Sequence, residues 1–303
     1  MHRPQFGGCH PIGAPVTHRL LMGRLAAAFA GTLVVLAPAL AQSPGTVEIR
    51  SCAVPPALSD IGVALSRSAA RIDQGSLFTI VAMGSSSTQG VGASTPSLSY
   101  PSRLQQELRE RLPTIEIRVL NRGIGGQDVA EELKRLDRDV VAEHPDLVIW
   151  QVGTNAVLRR DDLAADEELI RGGVSLMKEE GIDVVLMDLQ YARRVLARPA
   201  WGEMERAIGE IAHRSHVGLF RRFEIMQEWD RTQQLAPAPM IGADGLHMTD
   251  ASYSCLASQL AEALAWNWWS HGKIAKSSRQ NPDAVSKLSR LPNAPFSTAV
   301  RPP

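Results

Sequence analysis

The chain has 303 residues, 44% hydrophobic and 21% charged, with 32 Lys plus Arg balanced by 32 Asp plus Glu. That length supports one domain of roughly 200 residues with extensions and a full buried core. The charge balance gives no reason to expect nucleic acid or an anionic membrane surface as partner.

Along the chain, Arg19 and Arg24 come before the apolar run LAAAFAGTLVVLAPALA, which closes on Ala39-Leu40-Ala41 ahead of Gln42. This is the pattern of an export signal with a small-x-small cleavage site, and the run is short for a membrane span of about 20 apolar residues. Residues 1–41 are therefore expected to be a removed signal peptide, residues 42–75 an amino-terminal extension, and the mature protein periplasmic or secreted, with no stable membrane insertion. Cys9 would be lost with the signal. Cys52 and Cys255 then remain as an even pair in an oxidising compartment, where a disulfide is expected against the alternative of two buried thiols.

Apolar, β-branched runs at 78–83, 115–120, 147–152, 183–189 and 217–220 read as buried strands. Between them, 100–112 has Pro101 near its start and Leu104, Leu108 and Leu112 at spacing four, and 128–142 and 161–180 carry similar stripes with charged outer faces. This alternation implies a parallel sheet covered by helices. Residues 250–269 read as a last helix with Trp266, Trp268 and Trp269 on its packing face, and 271–303, rich in Ser, Pro and Asn, reads as a disordered tail.

Ligands of an open parallel sheet bind beyond the carboxyl ends of its strands. Four segments stand there or just before the last helix: Gly84-Ser85-Ser86-Ser87-Thr88, NRGIGGQD with Asn121, Gly123, Gly125 and Gly126, Gly153-Thr154-Asn155, and DGLH from Asp244 to His247. A serine hydroxyl needs a base to act as nucleophile at neutral pH, and an Asp three residues before a His can orient that base. Each segment alone is commonly a turn, a cap or a surface ion pair.

Together and in this order, over residues 76–270, they resemble the four blocks of the SGNH (GDSL-like) hydrolase family. The resemblance implies a flavodoxin-like three-layer α/β/α sandwich with a mostly parallel five-stranded sheet. It assigns Ser86 as nucleophile with Ser85 in the usual Asp position, His247 as base, Asp244 as its orienting partner, and Ser86 N–H, Gly126 and Asn155 as oxyanion-hole donors. The implied activity is an exported serine esterase acting through an acyl-enzyme on a carboxylic ester of a small molecule or glycan, with an O-acetylated carbohydrate or a lipid ester both open as substrate, as a monomer and without cofactor. An acyltransferase working on envelope glycans and a non-catalytic glycan-binding module are the alternatives. His213, His216 and His271 lack metal-ligand spacing, so no metal is expected. Gln190 and Tyr191 are open between pocket lining and structural support, and 156–162 and 192–202 are expected to be loops that shape substrate choice.

Overall fold

The computed structural model describes residues 52–271. The signal-like segment with Cys9 and the tail from 272 lie outside the described residues.

All five expected strands form one parallel sheet: β1 (Phe78–Gly84), β2 (Ile117–Gly123), β3 (Leu147–Gln151), β4 (Asp183–Met187) and β5 (Gly218–Phe220), in the order β2-β1-β3-β4-β5. That is the flavodoxin-like order. β1 and β3 are buried along their whole length, as continuous apolar runs in a doubly covered sheet require. The edge strand β2 is instead fully buried only at Ile117, with Arg118 and Asn121 exposed.

The helices, in chain order, are α1 (Pro56–Ser59), α2 (Ser66–Asp73), α3 (Ser86–Gln89), α4 (Tyr100–Arg111), α5 (Val129–Leu133), α6 (Leu136–Asp139), α7 (Thr154–Arg159), α8 (Leu163–Glu179), α9 (Arg193–Leu196), α10 (Trp201–Ser215), α11 (Arg222–Thr232) and α12 (Asp250–His271). Successive β1 side chains point to opposite faces. Phe78, Ile80 and Ala82 pack with Leu104 and Leu108 of α4 and Leu256 and Leu260 of α12, whereas Val81 and Met83 pack with Ile170 and Val174 of α8 and Ile208 of α10. The sheet thus separates two cores, giving three layers.

Three expectations change in detail. The helix expected over 128–142 is divided into α5 and α6, and the break falls at Arg135 (φ −118°, ψ 7°). Its buried guanidinium reaches Gln127 Oε1 at 2.7 Å, Arg122 O at 2.8 Å, Asp139 Oδ2 at 2.9 Å and Gly84 O at 3.2 Å. These are tertiary partners that a helical stripe does not reveal. The segments 156–162 and 192–202, expected as loops, are largely helical: α7 runs to Arg159 and α9 fills 193–196. Of the three tryptophans, Trp268 is buried edge-on against Phe78 with ring centroids 5.0 Å apart, while Trp266 is 45% exposed and pairs with Trp269.

Residues 52–75 pack onto the same core. Ile61, Leu65, Ala69 and Ile72 are buried in it, Leu65 N–H donates to Asn267 Oδ1 at 3.0 Å, and Ser68 N–H donates to Asp183 Oδ2 at 2.8 Å. Cys52 and Cys255 are joined by a disulfide with α-carbons 5.4 Å apart.

Candidate active site

β1 ends on Gly84 at φ +154°, where an added Cβ would lie 2.4 Å from Thr88 Oγ1 and 2.9 Å from Gln151 Cβ. Only glycine fits so close an approach. The chain then turns through Ser85 and enters α3 at Ser86. Ser85 and Ser87 are buried, and Ser86 between them is half-buried.

Its hydroxyl lies 2.9 Å from His247 Nε2, and His247 Nδ1 is in close hydrogen-bond contact with Asp244 Oδ2. The loop carrying both residues is held by Gly242 N–H donating to His247 O at 2.8 Å, by Gly245 at φ +72°, and by Leu246 and Met248, buried in opposite cores. Asp244 Oδ1 accepts from the main-chain N–H groups of Leu246 and His247, each at 3.0 Å. Partial desolvation works to raise the Asp244 pKa. The bonds from Leu246 N–H, the His247 ring and His247 N–H outweigh it and hold the carboxyl at about 2. Asp244 is thus ionised at neutral pH, and a carboxylate at Nδ1 favours the tautomer that leaves Nε2 free to accept a proton from Ser86.

The glycine-rich segment after β2 runs beside this serine. Ile124 N–H donates to Gly84 O at 3.0 Å and Gly125 N–H to Gln89 Oε1 at 2.8 Å. An added Cβ on Gly125 would come within 3.8 Å of Ser86 Cβ. Gly126 follows in the left-handed region at φ +84°. Asn155, in the first turn of α7, donates one amide proton to Gln127 O at 2.7 Å, which ties the third segment to the second and leaves its other amide proton. Arg159 of α7 clamps the same loop through Gly126 O, Asp128 and Glu131. The contacts bring Ser86, His247 and Asp244 into one relay and draw the Gly126 and Asn155 segments together.

Gln190 lies elsewhere in the packing: it is buried and accepts from Thr154 Oγ1 at 3.0 Å. Tyr191 packs edge-on to Phe223, with ring centroids 5.3 Å apart. Among the described residues no cluster of His, Cys, Asp or Glu could hold a metal ion.

Two residues at the site were not singled out from the sequence. Gln151, closing β3, and Arg222, opening α11, are both buried behind the serine turn. The one available signal was a polar residue ending the apolar run LVIWQ.

The model of the non-GDSL lipase-like family matches residues 51–267. The chain belongs to that family. The SGNH fold expected from the four segments agrees with this non-GDSL lipase-like membership and with solved structures. A two-domain esterase (CEX) active on acetylated mannans superposes with a TM-score of 0.57 at 21% identity, over 69% of this chain and 55% of that one. The chain therefore spans about half the length of that esterase. TesA gives a TM-score of 0.53 at 24% identity over 62% of this chain and 99% of its own. Axe2, an acetylxylan esterase from Geobacillus stearothermophilus, gives 0.54 at 23% identity over 63% and 95%. No curated protein matches the chain.

Proposed function

We propose that this protein is a serine hydrolase that cleaves carboxylic esters through an acyl-enzyme. The observation that carries the reading is the relay from Ser86 Oγ to His247 Nε2 at 2.9 Å and from His247 Nδ1 to Asp244. In this reading Ser86 Oγ attacks the acyl carbon while its proton passes to His247 Nε2. The oxyanion is met by Ser86 N–H, Gly126 N–H and the remaining Asn155 amide proton, each such donor typically contributing about 3 kcal/mol in the transition state. Collapse expels the alcohol, which takes the proton from His247. Water then enters by the reverse sequence and releases the acid.

Two partly exposed apolar side chains border the serine turn. Val91 and Ile124, on the segments flanking Ser86, are 37% and 41% exposed. The esterases named for acetylated mannan and acetylxylan lead us to an O-acetylated carbohydrate as the substrate class. The Cys52–Cys255 bond favours a protein working outside a reducing cytosol, in keeping with an exported chain.

The test is hydrolysis of p-nitrophenyl acetate and of acetylated xylo- and manno-oligosaccharides by wild type and Ser86→Ala. We expect wild-type release of acetate that Ser86→Ala abolishes. A folded wild type that turns over none of these esters would favour a non-catalytic glycan-binding module.

A further inference from the structure

Behind the serine turn, four donors converge on one atom, Gln151 Oε1. Ser85 N–H and Ser85 Oγ each lie at 3.0 Å, Ser87 Oγ at 3.1 Å and Thr88 Oγ1 at 3.4 Å. An amide oxygen has two lone pairs, so these donors compete. Thr88 has another partner in Tyr100 OH at 3.3 Å. Ser87 has a fixed polarity, because the fully buried Arg222 donates through Nη1 to Ser87 Oγ at 2.8 Å. A guanidinium cannot accept, so the one proton of Ser87 is turned toward Gln151. The residues immediately before and after Ser86 are thereby pinned to the same oxygen, one by its main chain and one by its side chain.

The buried cation is itself held. Arg222 Nη2 donates to Asp188 O, and Asp188 Oδ1 accepts from Phe223 N–H at 2.9 Å. Glu205 beside it accepts from Leu189 N–H at 3.0 Å. The end of β3, the chain segments after β1 and β4, and the start of α11 therefore meet in one polar cluster that removing a single partner would leave unsatisfied.

We infer that Gln151 and Arg222 are positioning residues for the nucleophile: acting through Ser85 and Ser87, they fix the backbone on both sides of Ser86 so that its hydroxyl faces His247. This rests on Ser86 being the nucleophile, which loss of p-nitrophenyl acetate turnover in Ser86→Ala establishes separately. A misplacement of reacting groups by about 1 Å can cost roughly 100-fold in rate.

The experiment compares Gln151→Met, which keeps the volume and removes the acceptor, with Gln151→Glu, which keeps an acceptor oxygen. Turnover of p-nitrophenyl acetate is normalised to sites counted by fluorophosphonate titration, so unfolded protein does not enter. We expect Gln151→Met to lower kcat at least about 10-fold with KM within about twofold of wild type, and Gln151→Glu to recover most of that loss. If Gln151→Met does not fold, Ser87→Ala, which uncouples Arg222 from the hub, should lower kcat several-fold with KM held. A thermal destabilisation of either variant with kcat per site unchanged, or a Gln151→Glu enzyme no better than Gln151→Met, would overturn the inference.

Discussion

Reducing the Cys52–Cys255 disulfide should lower stability without touching the chemistry. The bond joins residues 203 apart in sequence, and closing so long a loop removes unfolded-state entropy worth about 5 kcal/mol at 25 °C on the chain-entropy model, of which real proteins deliver about 2–4. For a domain of 150–250 residues each kcal/mol moves Tm by about 2–4 °C. A loss of about 3 kcal/mol therefore predicts a fall of roughly 6–12 °C. Reduction is a cleaner perturbation than substitution here, because Cys255 is wholly buried and truncating it would add a cavity to the measured effect. The assay is thermal unfolding followed by circular dichroism with and without phosphine reductant, with alkylation and mass spectrometry confirming two free thiols. Ester turnover at 25 °C should be unchanged, since Cys255 sits in α12, eight residues beyond His247. A fully reduced protein whose Tm stays within about 2 °C of the oxidised one would refute this reasoning.

Other consequences follow from the buried and polar groups around the site. Burial pushes the Glu132 carboxyl up from 4.5 to about 8, against the opposing pull of the Trp150 indole N–H and Arg135. The folded state therefore binds this proton more tightly than the unfolded one, and the stability it contributes is complete below pH about 4.5, declines above it and is lost as pH passes about 8. Glu132→Gln can still accept from Trp150 and should flatten that decline, so urea unfolding between about pH 5 and 9 should show curves that diverge; parallel curves would count against the assignment. Asp244→Asn should lower kcat by roughly 100- to 10,000-fold and His247→Ala by at least as much, measured on p-nitrophenyl acetate; an Asp244→Asn enzyme slower than the His247→Ala one would reverse the proposed division of labour. Asn155→Ala removes one oxyanion donor and should cost about 100- to 1,000-fold in kcat with KM little changed. A raised KM with kcat unchanged would instead indicate a role in ground-state binding.

The strands were legible because a sheet covered on both faces demands unbroken apolar, β-branched runs, and Phe78–Gly84 and Leu147–Gln151 have them. Three of the four polar segments were legible because they fall at strand ends, and DGLH because it stands just before the last helix. The helices α2, α10 and α11 went unassigned. In α2, SRSAARID offers only Ala69 and Ile72 as buried apolar side chains, so its inward face is weakly marked. The division of the helix over 128–142 was hidden because its cause, Arg135, finds Gly84 O 51 residues away. The hub at Gln151 was hidden for the same reason. Ser87 lies 64 residues from Gln151, and Arg222 lies 135 residues from Ser87 along the chain. Local periodicity reports which face of an element is buried, and it carries no information about which polar groups meet once elements pack.

The central claim is that Ser86 is activated by His247. Its most direct test is peptide mapping by mass spectrometry after exposure to a fluorophosphonate probe, on wild type and on His247→Ala. One adduct per chain is expected, on Ser86, and it should be lost or strongly slowed in His247→Ala. An adduct on Ser85 or Ser87, or labelling of Ser86 at the same rate without His247, would contradict that claim.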